Sequence, residues 1–248
     1  MRTFQVLGIT LTDYSVREAM RKVEEYLNDG KVSTVCYITT DGILEAENHP
    51  ETKTFLENMN LTVAADAEVL KAADILTRGR QSEIENSDFM RVFLHRVAKE
   101  KLDVCLISDS EEEAAKLEEG LKSYQASLHV TGRFAATAAD TEDAETLIND
   151  INVLAPKVII SNLSYPLREA LFAEHHMKLH AEVWLILKNN MVNEPRSLSL
   201  TERLKKRLSR KALARSVDQY RKVQLKSDTK EIDTEAINHA MESKNPQK

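Results

Sequence analysis

The chain has 248 residues, 42% of them hydrophobic and 30% charged, which is enough for one large or two small domains with a sizeable core. Its longest apolar runs, such as Val183 to Leu187, fall far short of the roughly 20 residues that span a bilayer. With 5% aromatic residues and one tryptophan, no aromatic nucleic-acid platform is expected.

In chain order, the elements alternate. Thr3 to Thr12 reads as a strand pair around Gly8. Ser15 with Glu18 forms a capping box opening a helix over Val16 to Asn28, which Gly30 ends. A strand at Val32 to Thr39 leads to a turn at Asp41-Gly42 and a helix from Ile43. Glu51 to Asn60 is helical, and Leu61 to Ala65 is a short strand ending at Asp66. Helices follow over Ala67 to Leu76 and Ser87 to Lys99, then a buried strand at Asp103 to Ser108. Asp109-Ser110 caps a helix over Glu111 to Tyr124. A strand at Leu128 to Thr131 and a helix from Thr141 to about Val153 come next. Val158 to Leu171 then gives a β-branched strand, a polar turn and a helix opened by Pro166, and the last strand is Glu182 to Leu187.

Strand–helix alternation at this spacing predicts an α/β, Rossmann-like domain, with a mostly parallel sheet covered by helices on both faces. Its bounds are set at 1–193, followed by a basic helical appendage at 194–226 and a polar, disordered tail at 227–248 with at most one short helix. In such sheets ligands bind where a strand ends in a turn. Ser161 to Tyr165 is such a turn, although it lacks the glycines that let a backbone approach a phosphate.

Charge is uneven. Net charge is −6, but Arg196 to Lys222 holds ten Lys/Arg and two Asp/Glu, a +8 segment that leaves −14 on the rest. Within it, Ser199 and Glu202 make a second capping-box pattern, and Leu200, Leu204 and Leu208 form one apolar stripe among cations. Such a helix can lie on an anionic membrane surface or pack on its own domain. Cys36 and Cys105 sit in apolar strands and read as buried hydrophobes. The opening MRTFQVLGITLTDYS has no apolar core of a signal peptide, so a cytoplasmic protein is expected. No Walker A, GxGxxG, HExxH, GxSxG or CxxC pattern occurs, and the His175-His176 pair does not share a helix face as metal ligands would.

The opening VLGITLTDYSVREAMRKVEEYLNDGK resembles that of the WecG/TagA/CpsF glycosyltransferases (family 26). Thr39-Thr40-Asp41 stands near that family's Thr-Pro-Asn turn, and Ala65-Asp66-Ala67 where it has Pro-Asp-Gly. Asn86 to Met90 resembles its Gly-Ser-Asp-Leu-Met, and Asn162 to Glu169 its Gly-Leu-Gly-Ser-Pro-Lys-Gln-Glu. The resemblance runs over about Met1 to Lys222, including a basic C-terminal helix linked to membrane association. It implies transfer of an N-acetylhexosamine, of the N-acetylmannosamine type, from a UDP-sugar to a polyprenol-diphosphate-linked acceptor in cell-envelope polysaccharide or teichoic acid synthesis.

Carried over by position, Asp66 is the candidate general base, with capping of its own helix as the alternative. Thr39 and Asp41 would line the acceptor or sugar side; Ser87 and Asp88 would meet the donor or cap a helix. Ser164 would join the donor site. Arg168 and Glu169 would meet ribose or phosphate, or form a surface charge pair. Arg203 and Arg207 could stabilise the leaving diphosphate, since the sequence has no DxD; no metal and no cofactor are expected. Expected partners are the donor, the acceptor, an anionic membrane at the inner face through Arg196 to Lys222, and a further copy or a partner glycosyltransferase, with no nucleic acid.

The chain departs from the pattern at its glycines. Ser108-Asp109-Ser110-Glu111 replaces a Gly-Gly turn, and Asp109 and Glu111 would repel a diphosphate there. Asn162 and Ser164 replace two more glycines, Arg168 a glutamine, and Lys188-Asn189-Asn190 follows the last strand in place of Gly-Gly. Two further readings follow: a catalytically silent paralogue acting as a binding or scaffold subunit, and an unrelated small-molecule-binding α/β domain.

Overall fold

The computed structural model describes residues 1–136, 141–188 and 200–242, without the side chains of 141–143, 200, 202–203 and 225–242. A hairpin comes first, β1 (Arg2–Val6) and β2 (Ile9–Asp13), joined by Leu7 and Gly8 at φ 51° and 72°. Positive φ at both positions is the two-residue turn that matches strand twist.

The main sheet has six strands: β3 (Ser33–Ile38), β4 (Leu61–Ala64), β5 (Val104–Ser108), β6 (Val130–Ala135), β7 (Val158–Ser161) and β8 (Val183–Ile186). All pair parallel, in the order β4-β3-β8-β7-β5-β6. The helices are α1 (Val16–Tyr26), α2 (Thr40–Asn48), α3 (Pro50–Glu57), α4 (Ala67–Ala72), α5 (Arg78–Glu85), α6 (Asp88–Lys99), α7 (Glu111–Tyr124), α8 (Thr141–Leu154), α9 (Leu167–His175) and α10 (Leu200–Glu242). The fold is Rossmann-like, with helices on both faces.

Strand side chains alternate between two cores, as a pleat requires. Cys36, Ile159, Trp184 and Ile186 join one core with α2, α3, α8, α9 and α10, whereas Val35, Ile160, Val183 and Leu185 join the other with α1, α6 and α7. Both cysteines are free and buried, and burial pushes their thiols up to about 12. Edge strand β4 is covered by the hairpin, where Thr62 Oγ1 donates to the Thr12 carbonyl at 2.8 Å.

Three local expectations change. Asp41-Gly42 is not a turn before a helix but the first turn of α2, because Thr39 caps the helix there. Helix α5 was not expected; it buries no residue, so RGRQSEIE has no apolar stripe to betray it. The C-terminal helix continues as one element to Glu242, past the expected boundary at 226. The Asn189-Asn190 turn, Arg196, the Ser199 cap with the side chains of Leu200 and Glu202, and residues 243–248 lie outside the description.

The backbone ladder between β7 and β8 is reinforced by the Trp184 indole N–H, which donates to Ser161 Oγ at 2.8 Å between fully buried residues. Trp184→Phe removes this donor and leaves the buried hydroxyl without it, so a loss of about 1–3 kcal/mol is expected. Urea unfolding followed by circular dichroism checks it, since the variant lacks the only tryptophan; the midpoint should fall with an unchanged slope.

Candidate functional site

Of the residues singled out in the sequence, Thr39, Asp41, Asp66 and Ser164 follow the carboxyl ends of β3, β4 and β7. Thr39 ends β3 and caps α2, its Oγ1 accepting from Gly42 N–H at 3.0 Å. Asp66 lies two residues past β4 and stands at the N-cap position of α4, yet makes no side-chain cap there. Its Oδ2 instead accepts from Thr40 N–H at 2.8 Å. Thr39 and Asp66 thus both satisfy the open N–H groups at the start of α2. Among the described residues Oδ1 of Asp66 takes no hydrogen bond, and the residue is partly exposed.

Asp41, one residue into α2, pairs with Lys188 just after β8. Burial pushes its carboxyl up, but hydrogen bonds from Lys188 and Ser209 outweigh this and hold it below the usual carboxylate range. Ser209 belongs to α10, so the strand ends and the C-terminal helix meet at Asp41.

Arg168 and Glu169 are not a surface charge pair. Glu169 is 5% exposed and the Arg168 side chain 13%. Arg168 Nη2 donates to Glu169 and to Glu45 of α2, the latter at 3.0 Å, and its guanidinium lies over the Phe55 ring at 5.0 Å. Thr52 Oγ1 donates to Glu169 Oε1 at 3.0 Å. This network ties α9 to α2 and α3 beneath the rim, because two buried charges must find partners. Just outside it, Tyr165 stacks on His49 at 4.4 Å and donates to Glu51 Oε1 at 2.5 Å.

Between β5 and β7 the connections part: β5 leads through α7 on one face, and β7 through α9 on the other. Such a switch point is where open α/β sheets bind ligands. Here Ser108 Oγ donates to Asn162 Oδ1, and Ser164 N–H donates to Asp109 Oδ1 at 2.9 Å. Ser110 caps α7, whose first turn carries Glu111, Glu112 and Glu113.

Ser87 and Asp88 lie towards the other face. Ser87 precedes α6 at φ 53° and makes no side-chain cap, which removes the capping alternative for it. With Tyr14, Tyr37, Ala65, Arg80 and Phe89 it lines a cavity of about 40 Å³, room for a few water molecules at most. Asp88 is in the first turn of α6, 3.8 Å from Arg91. Arg80 was not anticipated. It is partly buried between Asp13, 2.8 Å away, and Glu83; with no periodic apolar neighbours, nothing in TRGRQSE marks it as inward-facing.

Helix α10 lies on α2 and α4. Leu213 and Val217 enter the core, while Arg210 pairs with Glu68 at 3.0 Å and Arg221 with Asp74 at 2.7 Å. Leu204 and Leu208 are each 58% exposed and Arg207 is exposed beside them. The Arg203 side chain lies outside the description. Among the described residues no three His, Cys, Asp or Glu side chains gather as a metal site, and no helix is long and apolar enough to cross a membrane.

The sequence model of the Glycosyl transferase WecG/TagA/CpsF family matches residues 4–187. The chain belongs to that family. The match takes in the hairpin except Arg2 and Thr3, and the whole parallel sheet, and stops one residue after β8, so α10 falls beyond it. Membership removes the reading as an unrelated α/β binder, and makes the strand-end rim the place to look for glycosyl transfer. No curated protein matches the chain.

Hydrogen bonding to Glu51, together with some burial, raises the Tyr165 phenol from its ordinary 10 to about 12. A raised value means that this bond stabilises the fold below pH 10 and is lost as the pH rises through about 12. Glu51→Gln should return the phenol towards 10, read from the Tyr165 ring signal in an NMR titration.

Proposed function

We propose that this WecG/TagA/CpsF family member transfers an N-acetylhexosamine of the N-acetylmannosamine type from a UDP-sugar to a polyprenol-diphosphate-linked acceptor. The work would be done at the inner face of the cell membrane, in cell-envelope polysaccharide or teichoic acid synthesis. The observation that carries this reading is Asp66, a partly exposed carboxylate at a strand end, aimed by one hydrogen bond from Thr40 N–H with its second oxygen open among the described residues. That is the arrangement a general base needs: fixed, reachable, and beside the nucleophile's path.

In the proposed step the acceptor hydroxyl attacks the anomeric carbon as Asp66 takes its proton. The bond from that carbon to the diphosphate oxygen breaks, and UDP leaves with the electron pair. Thr39 and Asp41, flanking Asp66, face the sugar and acceptor. Ser87, Asp88 and Ser164 serve the donor. Arg168 and Glu169, being turned inward, act by holding α9 against α2 rather than by an open contact. Asp66 and the turn at Ser164 stand three strands apart on the rim, roughly 14 Å at about 4.8 Å per strand. A donor with its sugar near β4 and its diphosphate towards β7 would lie along that rim. Arg203 and Arg207 of α10 would neutralise the leaving diphosphate.

Membrane attachment is supported by the two halves of α10. Its packed half uses Leu213 and Val217, which leaves Leu204 and Leu208 uncovered between cations. Apolar residues flanked by Lys and Arg suit an anionic bilayer surface. A second reading, a catalytically silent scaffold subunit, is favoured by one observation: the carboxylate of Asp109 sits on the switch-point backbone. Association with a further copy or with a partner glycosyltransferase belongs to that reading.

Asp66→Asn keeps the hydrogen bond from Thr40 and removes the base. UDP release in the presence of a UDP-N-acetylhexosamine and a lipid-diphosphate acceptor should fall about 10²–10⁴-fold, with an unchanged melting temperature. No release by the native protein with any such donor, together with co-purification of an active glycosyltransferase, would favour the scaffold reading. Replacing Leu204 and Leu208 with Glu should abolish co-sedimentation with anionic vesicles and leave the fold intact, since neither side chain is buried.

A further inference from the structure

Asp109 occupies an unusual place for a carboxylate. It lies at the mouth of the β5/β7 switch point and accepts the Ser164 N–H at 2.9 Å. That N–H belongs to the turn between β7 and α9, where an oxyanion would find a backbone donor. Next to it, Asn162 is 1% exposed and its side-chain Nδ2 has no hydrogen-bond partner among the described residues, although its Oδ1 accepts from Ser108. A buried amide donor left unpaired is costly, and here it lies between the ends of β5 and β7, where Asn162 N–H also donates to the Ile107 carbonyl at 3.1 Å. The switch point therefore carries a backbone donor held by an anion of the protein's own, beside a buried side-chain amide donor without a partner among the described residues. Glu111, Glu112 and Glu113 follow in the first turn of α7, the last two paired with Lys116.

We propose that Asp109 is a built-in competitor for the donor diphosphate: it holds the oxyanion position on Ser164 N–H, and a nucleoside diphosphate binds at the switch point only by displacing it. The inference rests on the proposed use of a UDP-sugar and adds a specificity device to it. An anion already in place excludes weakly bound phosphates. It admits only a ligand whose remaining contacts along the rim outweigh the displaced carboxylate. Asn162 Nδ2 then serves as the second donor to the incoming oxyanion.

The test is calorimetric titration of UDP and, separately, inorganic pyrophosphate into the full chain. Asp109→Asn keeps a neutral acceptor of the same shape for Ser164 N–H and guards against loss of folding; Asp109→Ala clears the position. Both should bind UDP and pyrophosphate more tightly than the native protein, Asp109→Ala by at least about tenfold, since one close like charge is removed. Glu112→Gln, which removes the same charge from an exposed position one turn away, should change affinity less than about twofold. Equal gains in Glu112→Gln and Asp109→Asn would overturn the inference in favour of a general charge effect. Native binding of UDP with no gain in either Asp109 variant would also overturn it, and would leave the glycosyltransferase reading standing. If none of the proteins binds UDP or pyrophosphate, the switch point is not an anion site; the donor reading is then judged separately, by UDP-sugar turnover of the native protein.

Discussion

With helices on both faces, the central strands β5, β7 and β8 have no side chain that meets solvent. A parallel sheet of this kind can offer chemistry only where its strands stop. At that rim two demands compete for the same side chains. Each helix that leaves the sheet begins with backbone N–H groups that need acceptors, and any substrate needs polar groups still free to act. The structure of the site follows from how that competition is settled at each strand end.

At β3 and β4 it is settled by sharing. Thr39 and Asp66 come from neighbouring strands and divide the first N–H groups of α2 between them. A carboxylate that caps a neighbouring helix with one oxygen is oriented without being used up. Among the described residues Asp66 therefore keeps its second oxygen without a hydrogen bond. At β5 and β7 the same demand is met by Asp109, and there the donor itself is consumed. The contrast lies in geometry rather than in residue type: both are aspartates just past strand ends, and each accepts a backbone N–H. One faces a helix start that needs an acceptor in any case, and the other covers a turn at the switch point.

The C-terminal helix divides along its length. Leu213 and Val217 dock it, and its ion pairs with Glu68 and Asp74 use cations that the sequence alone would count as solvent-facing. The stripe of Leu204 and Leu208 stays outside. Of the alternatives for the basic helix, packing on its own domain is realised around Leu213 and Val217, whereas Leu204 and Leu208 in the preceding segment stay exposed.

The order of elements, the buried cysteines, the capping box at Ser15 and the family were legible in the amino-acid sequence, because periodicity and short-range capping are local properties. The candidate residues were legible one at a time, at Asp66, Ser87, Ser164 and Arg168, since each stands at a strand end or helix start. Their partners were not. That Asp66 caps α2 rather than α4, that Arg168 and Glu169 turn inward to Glu45 and Thr52, and that Arg80 pairs with Asp13 all depend on contacts between residues far apart in the chain. Sequence determined which candidate residues stand near strand ends and helix starts; the pairing order of the six strands decided which of them face one another, because only that order sets the distances over which charges and hydrogen bonds act.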